Sequence, residues 1–169
     1  MGFEKNIAAI LVFGTLSLSV KAAPIISEFA ADLSSSSYSA SSYYLGSPIY
    51  QPENAFNGGI WNAGGTGWHW IQADLGSTKT LTELKLTTAQ APNDVTQHQV
   101  FLSDNFIGAS YTSLTPIFTR SGFTTSGTIL DITLDQAFSG RYLQILVNNQ
   151  PIDDPGPFGS WTALGDTKG

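Results

Sequence analysis

Apolar and polar residues alternate along several stretches of the chain, and this two-residue period is typical of a β-strand with one buried face. Residues 130–135 alternate strictly between apolar and polar side chains, and residues 84–86 and 97–102 largely follow the same period. Residues 70–75 and 142–147 are rich in apolar and aromatic side chains. Each of these segments is predicted to form a strand.

Turn-forming residues separate the predicted strands at short intervals. Residues 76–77 and 91–94 have turn composition, and residues 62–67, 103–108 and 148–159 have the composition of longer loops. With almost no helical period, about eight short strands predict an all-β domain built as a β-sandwich or jelly roll.

Three shorter elements complete the pattern. Residues 111–118 are predicted to hold one or two short strands, and residues 161–167 are predicted to form the closing strand. Residues 52–56 predict a single helical turn, because Pro52 stands at the first position, where its missing N–H costs nothing.

The first 22 residues have the pattern of a secretory signal peptide. Lys5 gives a basic start, residues 7–18 are mostly apolar but short for a bilayer, and residues 20–22 place small side chains beside a cleavage site. We predict cleavage after Ala22, which leaves one secreted, soluble domain of residues 23–169. The alternative is an N-terminal membrane anchor.

The charge balance excludes two classes of partner. With 7 basic and 13 acidic residues, the formal net charge is −6, so the chain has no basic stripe for nucleic-acid phosphates or anionic lipid headgroups.

The chain contains no cysteine. A secreted domain of this kind must be held by its core or by a metal, and zinc–thiolate sites and cysteine nucleophiles are excluded.

Candidate catalytic groups are few. The two histidines, His69 and His98, lack metal-ligand spacing. Asp153 and Asp154 are adjacent, whereas the paired acids of a glycoside hydrolase flank a cleft at a set separation. We therefore predict that the protein is not an enzyme. His98 lies in an alternating segment, and we expect its ring to be partly buried and hydrogen-bonded.

Six segments, taken in chain order, resemble the motifs of one family. They are PENAFNG at 52–58, Trp61, WIQADLG at 70–76, QVFLSD at 99–104, GRYLQI at 140–145 and ALGD at 163–166. Together they are similar to the discoidin, or coagulation factor 5/8 type C, superfamily, whose bacterial branch includes carbohydrate-binding modules of family 32. The resemblance runs from about residue 39 to the C-terminus. It implies an eight-stranded, galactose-binding-domain-like jelly-roll β-sandwich that holds its ligand in loops at one end.

A sugar site needs an aromatic platform for the C–H face of the ring. Phe158 lies in a Pro- and Gly-rich loop, and the resemblance implies that this loop supplies the stacking aromatic. Trp61 or Trp68 is predicted to lie beside it, and Trp161 is a further candidate. Core packing is the alternative interpretation for Trp61 and Trp161.

The site also needs fixed donors and acceptors for the sugar hydroxyls. Asn62, Asn93 and Asp94 are the predicted groups, and a simple turn role is the alternative for each of them. Asn62 stands where galactose binders of family 32 often carry His, and Asn93 and Asp94 stand where a basic residue is common. These differences weigh against galactose in particular.

The resemblance also implies one structural calcium ion. Its ligands would include Asn57, which replaces the aspartate of the family motif, and Asp166, which stands at the position of the terminal glutamate. Because Asn57 supplies a neutral carbonyl instead of a charged oxygen, we expect a lowered calcium affinity.

Taken together, these features predict a secreted, non-catalytic carbohydrate-binding module that recognises glycans through loops at one end of the sandwich. The alternative is an extracellular adhesion or structural protein that binds a protein partner or a surface. Binding of lipid headgroups is disfavoured, because the loops carry few cations. Neither the sugar nor the oligomeric state follows from the pattern.

Overall fold

The structure, a computed structural model, describes residues 30–91, 93–149 and 162–165. The predicted signal peptide and the predicted site residues Phe158, Trp161 and Asp166 lie outside these ranges. Within the described ranges, no helix is long and apolar enough to cross a membrane.

The described residues form strands joined by short 3₁₀ helices. The strands are β1 (Tyr38–Ala40), β2 (Trp61–Asn62), β3 (Gly67–Thr88), β4 (Asp94–Ser103), β5 (Phe118–Thr124), β6 (Ile129–Asn149) and β7 (Ala163–Gly165). The 3₁₀ helices are Ser35–Ser37, Tyr44–Gly46, Pro48–Tyr50, Pro52–Ala55 and Gly108–Ser113. The helical turn predicted at residues 52–56 is therefore confirmed.

Strands β3 and β6 form one long antiparallel pair, although β4 and β5 lie between them in the chain. They are 22 and 21 residues long, and they pair from Gly67 opposite Asn149 onward, with register shifts after Asp74 and Leu81. Near the first shift, Arg141 binds Asp74 with two hydrogen bonds of 2.7 and 2.8 Å. At these shifts the strand pair passes from one layer of the sandwich to the other. The strands predicted at residues 70–75 and 84–86 are therefore both parts of β3. The strands predicted at residues 130–135 and 142–147 are both parts of β6.

The β3–β6 pair contributes to both layers of a β-sandwich. The first layer has the order β1, β3, β6, β4, β5, and the second contains the other halves of β6 and β3 followed by β7 and β2. The main buried side chains between the layers are Trp61, Ile71, Ala73, Leu84, Leu86, Val100, Leu130, Ile132, Leu143, Ile145 and Leu164. The predicted all-β sandwich is confirmed, and so is the alternation at residues 130–135.

A smaller apolar cluster lies on the face of the first layer that points away from this core, which we call the outer face. Phe101, Ile107 and Leu146 form its centre, and Trp70, Tyr111 and Tyr142 pack around them. The cluster is covered by the 3₁₀ helix Gly108–Ser113. The prediction of strands within residues 111–118 was therefore wrong, except that β5 begins at Phe118.

Candidate functional site

Strand register brings several loops to one end of the sandwich. Gly67, at the start of β3, and Thr96, near the start of β4, both lie opposite Asn149 at the end of β6. The turn after β5 joins them, because the amide of Gly127 donates to the carbonyl of Thr88 at 2.6 Å. We call this region, which comprises residues 62–67, 89–91, 93–94 and 124–128, the loop end.

The loop end also holds both described residues that flank residues 150–161. The Asn149 side chain donates to the carbonyl of Ala91 at 3.3 Å. The Thr162 amide donates to the carbonyl of Gly65 at 2.8 Å, and its hydroxyl donates to the carbonyl of Gly67 at 3.2 Å. Asn149 and Thr162, the described residues on either side of the segment that contains Phe158 and Trp161, thus both lie at the loop end, whereas Phe158 and Trp161 are outside the described ranges.

Trp61 and Asn62 are buried residues that stabilise the fold. Trp61 is 0% exposed, and its indole N–H donates to the carbonyl of Ser42 at 2.9 Å. The prediction that it lies against a ligand was wrong, because no face of the ring is accessible, and the core alternative holds. The Asn62 side chain is also buried, and its Oδ1 accepts a hydrogen bond from the Gly64 amide at 2.8 Å. This arrangement is that of a turn residue, so its predicted ligand role is corrected as well.

Trp68 is the predicted aromatic candidate that the structure leaves accessible. It is 42% exposed and lies on the outer face, because it alternates along β3 with the core residues Ile71 and Ala73. Its neighbour His69 is held in place: Nδ1 lies 3.2 Å from the Ser42 hydroxyl, and Nε2 lies 3.1 Å from the carbonyl of Thr66. These contacts fix the loop before Trp68 and support the position of the indole.

Asn93 and Asp94 lie across the loop end from Trp68. The Asn93 side chain is exposed, and its Oδ1 accepts a hydrogen bond from the Ser126 amide at 3.1 Å. Asp94 is partly exposed, and its Oδ1 accepts a hydrogen bond from the Val95 amide at 2.6 Å. From strand spacing and rise, the Cα atoms of Trp68 and Asp94 are on the order of 14 Å apart. The three residues share one end, but they do not touch.

Sequence reasoning missed Gln97 as a site residue and treated Asn148 as a loop residue. Asn148 lies directly opposite both Trp68 and Gln97, and its Nδ2 donates to Gln97 Oε1 at 2.9 Å. The alternation of residues 97–102 already placed Gln97 on the face opposite Val100. The missing information was the pairing, which joins residues 51 positions apart.

A buried polar cluster lies beneath the loop end. Gln90 Nε2 donates to the Thr124 hydroxyl at 2.6 Å, and the hydroxyls of Thr96 and Thr124 are 2.8 Å apart. His98 follows on the same face of β4 and is 0% exposed. Among the described residues, neither of its ring nitrogens has a hydrogen-bond partner. Its burial is deeper than predicted, and the predicted hydrogen bond is absent there.

Burial also changes the titration of His98. It lowers the pKa of His98 from the ordinary value of 6.5 to about 4, and the nearby positive charge of Arg120 contributes to the same shift. The folded protein therefore holds this ring neutral at ordinary pH, which suits a position between two sheets.

A cluster of carboxylates that would mark a calcium site is not found among the described residues. Asn57 Oδ1 accepts a hydrogen bond from the Asp32 amide at 3.0 Å. In the described ranges, no group of three or more His, Asp or Glu side chains is arranged to hold a metal. The second predicted ligand, Asp166, lies outside these ranges. Calcium binding stays a prediction from the resemblance, and no step below depends on it.

A groove lies beside the loop end. Its volume is about 480 Å³, and its lining includes Ile49, Tyr50, Ile60, Thr88 and Gly127. Ile49 and Ile60 are 67% and 44% exposed. The surface is mainly apolar, in contrast to the mixed aromatic and amide surface around Trp68.

The fold and the motifs together define the family. The sequence profile of the F5/8 type C domain matches residues 33–163. The chain therefore belongs to the F5/8 type C domain family, as the motifs predicted.

Solved structures show the same fold. The family 32 carbohydrate-binding module of C. perfringens NanJ, in complex with galactose, is 12% identical over 76% of this chain and 88% of that one, with a TM-score of 0.56. The module of the same family from AlyQ, in complex with 4,5-unsaturated mannuronic acid, is 20% identical over 76% and 89%, with a TM-score of 0.55.

A third structure, a point mutant of chitosan-binding module 1 from a Paenibacillus sp. IK-5 chitosanase/glucanase, is 22% identical over 80% of this chain and 92% of that one, with a TM-score of 0.51. At these identities the likeness concerns the fold. No curated protein matches the chain.

Proposed function

We propose that this protein is a non-catalytic carbohydrate-binding module whose glycan site includes Trp68. The observation that carries the proposal is the exposed indole of Trp68 at the same end of the sandwich as Asn93 and Asp94. An aromatic face beside amide and carboxylate groups matches the apolar C–H face and the hydroxyl rim of a sugar. Structural relatives crystallised with sugars add support from proteins of the same fold.

Binding alone, without catalysis, fits the described part of the loop end. Asp94 is the one carboxylate among its described residues, whereas glycoside hydrolysis uses two carboxylic groups at a set separation. A single stacked ring buries little area, and sugar hydroxyls regain in bonding about what they lose in dehydration. We therefore expect weak binding to a single site.

The proposal extends to an extracellular location. The basic start, the apolar run and the small residues before Ala23 support removal of residues 1–22 on export. N-terminal sequencing of the protein from the culture medium should begin at Ala23. A product that retains Met1 in a membrane fraction would support the anchor alternative instead.

The apolar groove favours a second candidate, a module that binds a protein partner. The exposed Ile49 and Ile60 side chains are of the kind that protein interfaces bury. Glycan binding and groove binding are separable, because Trp68 does not line the groove. An Ile49→Asp variant should bind glycans as the wild type does.

The test is a glycan array followed by titration of the glycans that bind. We expect Trp68→Ala to abolish binding and Phe158→Ala to weaken it. Phe106→Ala is the matched control, since Phe106 is an exposed aromatic in the loop after β4, at the other end of the sandwich. Failure of the wild-type protein to bind any glycan on the array, or full binding by Trp68→Ala, would overturn the proposal.

A further inference from the structure

We infer that the glycan site continues from Trp68 across the outer face to Phe123, and that it takes an extended, uncharged glycan chain. The inference rests on the proposed glycan-binding function and adds the shape and charge class of the ligand. The surface, which we call the outer strip, consists of Trp68, Asn148, Gln97, Ser121, Val95 and Phe123.

The register of four strands places these side chains on one face. Trp68 lies opposite Asn148, Asn148 lies opposite Gln97, and Gln97 lies opposite Ser121, so the four form one row across the sheet. Residues directly opposite each other in antiparallel strands share a face. Val95 and Phe123 form the next row of the same face, two residues along β4 and β5.

An exposed aromatic side chain stands at each end of the strip. Trp68 is 42% exposed, Phe123 is 63% exposed, and Val95 beside Phe123 is 38% exposed. Three strand spacings and two residues of rise put the Cα atoms of Trp68 and Phe123 about 16 Å apart. A single sugar ring, about as wide as one strand spacing, reaches only one of them. A chain that runs across the strands reaches both.

Amide groups lie between the two aromatic side chains. Asn148 is 5% exposed, and its Nδ2 donates to Gln97 Oε1 at 2.9 Å. Among the described residues, Asn148 Oδ1 has no hydrogen-bond partner. Gln97 and Ser121 are exposed in the same row, so the Gln97 amide N–H groups and the Ser121 hydroxyl can form hydrogen bonds with sugar hydroxyls. The strip thus supplies hydrogen-bonding groups as well as stacking surfaces.

The charge of the strip selects the class of glycan. All six of its side chains are uncharged, and the whole chain has a formal net charge of −6. A glycan chain that carries carboxylates would gain no ion pair on the strip and would be repelled by the protein as a whole. A neutral chain meets neither obstacle.

The test is calorimetric titration with glucose, N-acetylglucosamine, and cello- and N-acetylchito-oligosaccharides of increasing length. We expect affinity to rise with chain length in at least one of the two series. Phe123→Ala should lower affinity for the long chains by roughly three- to tenfold, because one aromatic stacking contact is lost. Gln97→Ala, in the middle of the strip, should reduce the same gain.

Two controls separate this inference from the proposed function. Phe106→Ala removes an aromatic that is 60% exposed, close to the exposure of Phe123, and should leave every affinity unchanged. Oligomannuronates of matched length should bind more weakly than the neutral chains. If short glycans bind through Trp68 while Phe123→Ala has no effect, or if affinity does not rise with length in either series, the outer strip is refuted and the proposed function stands. If no glycan binds the wild type, both are refuted.

Discussion

Gln72 and Gln144 lie directly opposite each other on β3 and β6 and bind the two backbone polar groups of one residue, Gly108. Gln72 Oε1 accepts a hydrogen bond from the Gly108 amide at 3.0 Å, and Gln144 Nε2 donates to the Gly108 carbonyl at 2.7 Å. This pair fastens the 3₁₀ helix Gly108–Ser113 over one half of the outer face. On the other half, the Trp68 and Phe123 side chains are exposed.

Replacing Gln72 tests how much this attachment stabilises the fold. Gln72 is 1% exposed and also accepts the Ile107 amide at 3.1 Å, so Gln72→Leu leaves two backbone amides without their acceptor. We expect a loss of about 2–4 kcal/mol in the free energy of unfolding, measured with urea. Gln99→Leu is the control, because Gln99 also lies on the outer face, on β4, and this substitution should change stability by less than about 0.5 kcal/mol. Equal effects of the two substitutions would contradict this account.

His98 should make stability depend on pH. Because its pKa is lowered from 6.5 to about 4 in the folded state, its contribution is complete above about pH 6.5 and is lost as the pH falls towards 4. The loss should be on the order of 3 kcal/mol. Urea unfolding from pH 7 to pH 4 measures it, and His98→Leu should show a much smaller change over this window.

A second group titrates in a different window. The pKa of Asp74 is lowered, mainly by its hydrogen bonds to Arg141, below the ordinary value of 3.8. Its contribution is therefore lost only at lower pH than that of His98. Identical pH profiles for wild type and His98→Leu between pH 6.5 and pH 4 would contradict the role given to His98.

A substitution at Trp61 should lower stability without changing glycan affinity. Trp61→Phe removes the hydrogen bond to the carbonyl of Ser42 and part of a fully buried ring. We expect a loss of about 1–3 kcal/mol in the free energy of unfolding. Glycan affinity, measured well below the melting temperature, should equal that of the wild type. Loss of affinity with stability preserved would return Trp61 to the binding site.

Gly140 lies close to the Leu102 side chain and the Ser103 backbone. A Cβ at this residue would lie 2.7 Å from both the Ser103 nitrogen and Leu102 Cγ. Gly140→Ala should therefore destabilise the fold by about 1–3 kcal/mol. Gly165→Ala is the matched control, because its nearest neighbours would be 3.5 Å away, an ordinary contact. Thermal unfolding of the two variants decides the matter, and equal melting temperatures would argue against crowding at Gly140.

The alternation of apolar and polar residues could predict the strands, because the two-residue period of a strand with one buried face can be read from neighbouring residues in the sequence. Residues 130–135 show this most clearly, since every apolar side chain among them is buried and every polar one is exposed. The strands predicted within residues 111–118 are not formed because the 3₁₀ helix Gly108–Ser113 occupies the start of the segment, and its first residue is held by Gln72 and Gln144, which lie far away in the chain. A local sequence pattern gives no information about a contact between residues that are far apart in the chain.

The site was harder to predict for the same reason. Trp61 and Trp68 both adjoin the Gly-rich loop, and only strand pairing shows which is buried: Trp61 lies opposite Leu164 in the second layer, whereas Trp68 lies on the outer face. The resemblance to the family indicated the end of the sandwich at which the loops meet. The row from Trp68 to Ser121 required the register of four strands.

The indole N–H resonances of the protein offer the most direct test of the central claim that Trp68 contacts the glycan. The chain has four Trp residues, and substitution of each assigns its signal in a ¹H–¹⁵N spectrum. On titration with a glycan that binds, the Trp68 signal should shift progressively, while the signal of the buried Trp61 should stay in place. A saturable glycan titration in which the Trp68 signal does not move would contradict the account.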